Sequence, residues 1–328
     1  MPDDFGVPYP TTSREQTRWI LERRPARNTV DARRPYAYLN EPERAQNGEV
    51  VPVATLFLTN RECPFRCLMC DLWSNTLTES VSRGDIPAQI DLALSELPPA
   101  RQIKLYNSGS FFDPRAIPPD DYLDIAARVR GFERVIVECH PSFVGERCFA
   151  FQKLLDADGE GRLEVAMGLE TVHPAVLERL NKGITLESFR ATADALRERS
   201  IALRVFILVK PPFQDEVEAL EWSKRSLDFA FDCGASVACL IPTRDGNGAL
   251  EALREQDEWS QPQLATLEKA ANYGVGLSRG RVFADVWDLE RFSNCPSCFA
   301  ARRERLDQMN LTQTVLPSIC CAICGEGQ

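Results

Sequence analysis

Six short runs rich in Val, Ile and Leu recur through the middle of this chain, at residues 53–59, 102–107, 134–139, 162–168, 201–209 and 235–241. A short apolar run of this kind suits a strand covered on both faces, the environment of a parallel sheet. Between the runs lie segments with apolar residues at helical spacing, at 86–97, 118–132, 147–157, 185–200 and 216–234. Several of them start behind Pro, Asp or Thr, as helix N-termini prefer. Strands alternating with helices build a parallel α/β sheet. No G-x-G-x-x-G follows the first strand, which weakens a dinucleotide-binding reading and favours a barrel, or a barrel left open. The expected fold class is α/β, a partial (β/α)6 TIM-like barrel with parallel strands. Such barrels carry their chemistry at the C-terminal ends of the strands.

The loop leaving the first of these strands reads ECPFRCLMC, with Cys63, Cys67 and Cys70 at x3 and x2 spacing. Three thiolates on one loop can hold three irons of a cubane 4Fe-4S cluster and leave the fourth open for a cofactor or substrate. A zinc ion completed by a remote ligand, or three buried thiols, are the competing readings, although zinc pairs usually come as C-x2-C. A second group closes the chain: Cys295, Cys298, Cys320, Cys321 and Cys324. Cys295 with Cys298, and Cys321 with Cys324, are two C-x2-C pairs on either side of a charged, helical-looking stretch at 302–310. Together they offer four thiolates to a zinc ion or to an auxiliary 4Fe-4S cluster, with Cys320 able to replace Cys321. The spacing does not choose between these metals. Cys139, Cys148, Cys233 and Cys239 stand singly in apolar or helical contexts and read as buried small hydrophobes.

Metal is preferred to disulfides for twelve cysteines only in a reducing compartment. The first residues have neither a basic start nor an apolar signal core, and the apolar runs fall short of the about 20 residues of a membrane span. A cytoplasmic protein with no membrane segment is expected. The formal net charge of -10 argues against a broad phosphate-binding surface. The basic segment at 18–36 could contact phosphates, but it is interrupted by acids and reads equally as a solvated face. Only two histidines, His140 and His173, are present, which leaves little material for histidine-based acid–base chemistry. His140, just past the third strand, could face the cavity.

With a strand before it and a barrel after it, the C-x3-C-x2-C triplet resembles the signature of the radical S-adenosylmethionine (SAM) enzymes, over about residues 50 to 245. The resemblance implies that Cys63, Cys67 and Cys70 ligate a 4Fe-4S cluster and that SAM takes the open iron. It also implies reductive cleavage of SAM to a 5'-deoxyadenosyl radical that abstracts hydrogen from the substrate, with a low-potential donor such as flavodoxin or ferredoxin. The family usually has an aromatic residue before the third cysteine; here it is Met69, a polarizable substitute beside the adenine. The second-strand segment that meets the methionyl amine is YNSGSFFD, which offers Asn107, Ser108, Gly109 and Ser110 and no carboxylate in that core. Glu138 and Glu170, at the ends of the third and fourth strands, would accept from the amine or the ribose. Lys210, before two prolines, would aim at the SAM carboxylate or the substrate, and with His140 it is a candidate catalytic group.

The combination of YNSGSFFD, GLET, NKG at 181–183 and LVKPP is similar to the radical SAM subunit of archaeosine synthase, within a group that includes the Elongator catalytic subunit. That implies a transfer RNA substrate. The acidic balance favours a small molecule or a peptide instead. A non-catalytic metal-binding scaffold would explain the C-terminal pairs but not the open triplet. The expected organisation is an N-terminal extension (1–50), a radical SAM partial barrel (51–245), a barrel-completing or substrate-covering segment (246–290) and a small Cys-rich metal-binding tail (291–328).

Overall fold

The computed structural model describes residues 7–156 and 161–325. The last residue of the helix expected over 147–157, the first six residues of the N-terminal extension and the last three of the tail lie outside the described residues.

Eight strands form one sheet in chain order. β1 (Ala37–Arg44) runs antiparallel to β2 (Val50–Phe57). β3 (Gln102–Tyr106), β4 (Arg134–Glu138), β5 (Leu163–Glu170), β6 (Ala202–Val209), β7 (Val237–Pro242) and β8 (Arg281–Ala284) follow, each parallel to the one before. β1 and β8 do not pair, so the sheet is an open half-barrel of α/β type. It has one strand more at each edge than the six expected. β8 is only four residues long, and β1 reads AYLNEPER, whose charges conceal a strand.

Helix α1 (Ser13–Arg23) precedes the sheet. The crossovers carry α2 (Asp85–Glu96), α3 (Tyr122–Val129), α4 (Glu146–Leu155), α5 (Pro174–Arg179), α6 (Leu186–Glu198), α7 (Glu216–Asp232), α8 (Ala249–Glu255) and α9 (Leu264–Gly276); α10 (Pro296–Thr312) follows β8. Thr185 with Ser188, and Asp215 with Glu218, form capping boxes that fix where α6 and α7 begin.

Side chains alternate along each strand, and the two faces differ in chemistry. Ile103, Leu105, Val135, Val137, Val165, Met167, Val205 and Ile207 join one apolar core with helix residues such as Ile86, Ile125, Phe151, Phe189 and Leu227. The residues between them turn into the lumen, where Lys104, Glu164 and Arg204 are nearly fully buried. Glu43 of β1 completes this layer: it accepts from Arg204 at 2.7 Å and from Lys104 at 2.6 Å, while Arg204 also donates to Glu164 at 2.6 Å. The charged sequence of β1 thus supplies a buried carboxylate to this layer. Burial alone would raise the Glu43 pKa, but Arg204 and Lys104 reverse that and hold it well below the carboxylate range.

α10 covers the open side. The side-chain amide of Asn310 donates to the Ala284 carbonyl and accepts from the Ala284 N–H, both at 2.8 Å. Gln313 does the same to Val282, at 2.9 and 2.7 Å. Two side chains therefore stand where a ninth strand would pair. Arg44, at the end of β1, donates to the carbonyl of Leu311.

Candidate functional site

The triplet lies where the sequence placed it, on the loop after β2 at the C-terminal end of the barrel. Four neighbours hold that loop by its backbone. Leu68 N–H donates to the Leu180 carbonyl at 3.0 Å. Asn181 Nδ2 donates to the Arg66 carbonyl at 2.8 Å. Asn247 Nδ2 donates to the carbonyls of Leu68 and Cys70 at 2.7 and 3.4 Å, and Trp73 Nε1 donates to that of Cys70 at 3.1 Å. Glu62, ahead of Cys63, is paired with Arg24, Arg27 and Arg66. Two cations of the basic N-terminal segment therefore face inward on the cysteine loop and present no phosphate-binding face.

Burial pushes the Cys63 thiol up to about 11 and those of Cys67 and Cys70 up to about 12. The thiols are protonated near neutral pH, and a metal that binds them must displace the protons. Gly109 approaches from the end of β3: a Cβ there would sit 3.3 Å from Cys63 Cβ, so any larger residue would press on the loop.

The second-strand segment closes over the loop. Asn107 is fully buried, and neither Oδ1 nor Nδ2 of its side chain has a partner. A buried amide without partners is costly, and a polar ligand beside the cysteines would satisfy it. Ser108, at φ 52°, shares a hydrogen bond of 2.9 Å with the Tyr36 hydroxyl. Ser110 Oγ accepts from the His140 N–H at 3.0 Å. Met69 is half-buried on the loop itself.

The titratable candidates are placed unevenly. Glu138 is occupied with the chain: it accepts from the N–H groups of Asn107 and Gly109, and so shapes the loop that approaches Cys63. Burial raises its pKa, and those N–H groups offset part of the rise. His140 stacks on Phe65 with ring centroids 3.7 Å apart. Its Nε2 donates to the Lys182 carbonyl at 3.0 Å and its Nδ1 accepts from Ser142. Burial, reinforced by the Lys182 charge, pushes its pKa down to about 3. It is a neutral strut under the cysteine loop. Lys210 is committed elsewhere: its ammonium donates to the Ser260 and Gln261 carbonyls at 3.0 and 3.3 Å and pairs with Glu216 at 3.1 Å.

Glu170 lies beside the triplet, but with a partner the sequence reading did not assign. Lys182 Nζ donates to its Oε1 at 2.7 Å, with both side chains buried. Burial would lower the lysine pKa; Glu170 and the neighbouring Cys67 reverse this and hold it above its usual value. Lys182 belongs to the NKG turn, and every residue of the 180–183 turn touches the site. The Leu180 carbonyl and Asn181 amide hold the loop, Lys182 holds Glu170 and His140, and Gly183, at φ 73°, lies against Phe65. The available signal was an asparagine and a glycine flanking a lysine, a turn signature with no stated chemistry. Asn247 was missed as well, since nothing in its sequence surroundings points back to residue 68.

The C-terminal pairs converge. Cys295 Sγ lies 3.9 Å from Cys321 Sγ, and Cys298 Sγ lies 3.8 Å from Cys324 Sγ. All four sulfurs fall within 4.8 Å of one another, and Cys321, not Cys320, completes the set. No helix among the described residues is long and apolar enough to cross a membrane.

No protein-family profile matches the chain. It is similar to an uncharacterized protein of Methanocaldococcus jannaschii, 24% identical over 88% of this chain and 84% of that one. It is similar to archaeosine synthase subunit beta of Methanosarcina acetivorans, 26% identical over 75% of this chain and 74% of that one. The relation to archaeosine synthase that its segments implied is thus found again over most of its length. Among solved structures, archaeal Elp3 of Methanocaldococcus infernus superposes with a TM-score of 0.49 at 13% identity, over 69% of this chain and 59% of that one.

Proposed function

We propose that this chain is a radical SAM enzyme whose cluster is held by Cys63, Cys67 and Cys70. The observation that carries the reading is the triplet itself: three half-buried thiols on one loop at the C-terminal end of a half-barrel, beside the β3 exit that carries an unpartnered buried amide, Asn107. The similarity to archaeosine synthase beta subunits supports it. When bound, the 4Fe-4S cluster and SAM would together supply a carbon radical able to abstract hydrogen from an unactivated position. The chain's own residues bind, orient and enclose. The side-chain amide of Asn107 offers a neutral donor and acceptor, and the carbonyls of Ser108 to Ser110 neutral acceptors, to the amino-acid end of SAM. Met69 offers a polarizable surface to its base. The Lys182–Glu170 pair sets a fixed charge beside Cys67 without adding net charge to the cavity. His140 takes no part in proton transfer, because both of its ring nitrogens are engaged.

For the substrate, the names of the relatives support a modified nucleoside in transfer RNA and a partner subunit. A low-potential donor such as flavodoxin or ferredoxin would supply the electron. A small-molecule or peptide substrate is the second reading, favoured by the inward commitment of Arg24 and Arg27 to Glu62. The domain limits read from the sequence are retained as a proposal, with β1 and β8 contributed by the flanking segments.

The test is anaerobic reconstitution with iron and sulfide, reduction, and assay for 5'-deoxyadenosine. The parent chain should form it, and the Cys63→Ala, Cys67→Ala, Cys70→Ala triple variant should not. Equal product from both would rule the assignment out. Transfer RNA binding that is retained at physiological salt would select the nucleoside reading, and its absence the small-molecule one.

A further inference from the structure

We propose that Cys295, Cys298, Cys321 and Cys324 bind one zinc ion, separate from the triplet, and that this ion anchors the loop joining the cavity rim to α10. The argument is first one of distance. Four thiolates about 2.3 Å from a common centre lie about 3.8 Å apart along each tetrahedral edge. The pairs measured here are at 3.9 and 3.8 Å, with all four sulfurs within 4.8 Å. Thiolates bound to the separate irons of a cubane are kept further apart by the cluster between them. The geometry therefore selects a mononuclear site, a choice that the C-x2-C spacing leaves open. A closed set of four sulfurs suits zinc, which has no further geometric demand and leaves no open position.

Both pairs sit on defined local structure. Cys295 is the N-cap residue of α10 and Cys298 lies in its first turn, so the start of the helix fixes two of the four sulfurs. Cys321 and Cys324 lie on a turn closed by the Gly325 N–H on the Cys321 carbonyl at 3.0 Å. Three of the four side chains are buried, and among the described residues the half-buried Ile319 is the apolar side chain packed against this small cluster. Without a metal it has little apolar surface to hold it together.

The same site reaches the catalytic end through the preceding loop. Arg244 pairs with Asp285 at 2.8 Å and donates to the Trp287 carbonyl, and Arg291 pairs with Asp245. Asp245 is two residues from Asn247, whose amide holds the Leu68 and Cys70 carbonyls. Trp287, half exposed and edge-on to Phe57, stands on this loop. The ion is thus a remote positioning element for the rim of the cavity.

The test uses the full chain carrying Cys63→Ala, Cys67→Ala and Cys70→Ala, so that failure of the radical SAM reading leaves the result untouched. Purified from cells and analysed for metals, it should hold about one zinc per chain. Cobalt exchanged into it should show the visible absorption of a tetrahedral thiolate site. Adding Cys298→Ser and Cys321→Ser should abolish both signals; should that variant fail to fold, zinc release by thiol modification of the parent triple variant gives the same readout. In the triple variant, limited proteolysis within 285–295 should accelerate when zinc is withdrawn. Four irons, one iron, two disulfides or four free thiols in a folded triple variant would each overturn the proposal, and an unchanged cleavage rate would remove the positioning role.

Discussion

A carboxylate in the left-handed region, with a glycine two positions back, has little choice of where to put its charge. Glu170 sits at φ 65°, and a Cβ on Gly168 would lie 2.1 Å from Glu170 Oε1 and 2.7 Å from Lys182 Nζ. The glycine is the space in which the ion pair forms. Removing one member of a buried pair strands the other, at a cost of about 3–5 kcal/mol. Glu170→Gln and Lys182→Met should each destabilise the chain on that scale, while the double variant should lose less than the sum. Urea unfolding of the three variants measures the coupling, and strict additivity would show that the two groups do not depend on each other. The cysteines were legible in the sequence because spacing on one loop is itself a chemical statement. Lys182 was not, because a lysine between asparagine and glycine looks like any exposed turn, and only the fold buries it.

Elements rather than single side chains hold the cysteine loop in shape. It is gripped from one side by the 180–183 turn and from the other by Asn247, whose Oδ1 also accepts from the N–H groups of Ala249 and Leu250 at the start of α8. One side chain therefore ties a helix terminus to two carbonyls flanking Met69. Asn247→Ala should cost about 1–2 kcal/mol, the scale of a lost cap with buried carbonyls left unmet. It should also lower iron retained after reconstitution while far-ultraviolet circular dichroism stays unchanged. Parent-level iron and stability together would show that the loop keeps its shape without this tie. The six apolar strands were readable because their core-facing residues are continuous along each run. β1 was not, because Glu41 and Glu43 make sense only opposite Lys104 and Arg204, residues distant in the chain.

For the molecule as a whole, two buried groups weaken the fold in acid. His140 is held neutral, with its folded pKa near 3 against about 6.5 unfolded, so unfolding takes up a proton as pH drops below that upper value. Glu43 is held ionised, with its folded pKa below its unfolded one, so its contribution is present above about 4.3 and lost as pH falls further. Both shifts act in the same direction. The contribution of His140 to the unfolding free energy of the cluster-free chain should fall by about 1.4 kcal/mol per pH unit below about pH 6.5; below about 4.5 Glu43 adds to that fall, while Glu138, whose pKa burial raises, opposes it. His140→Gln should flatten the upper part of that profile. A stability that is level between about pH 7 and 5 would mean that His140 is not held neutral.

At the same scale, the two amide side chains on the outer side of β8 set a limit on assembly. A sheet grows from molecule to molecule only through open edges, because each added strand needs a ladder of free N–H and C=O groups. Asn310 and Gln313 already occupy that ladder at Ala284 and Val282. Propagation by edge pairing would need a donor edge and an acceptor edge on every copy, and β8 can supply neither while α10 is docked. Any strand-to-strand association is confined to the β1 side and ends at a closed pair of molecules.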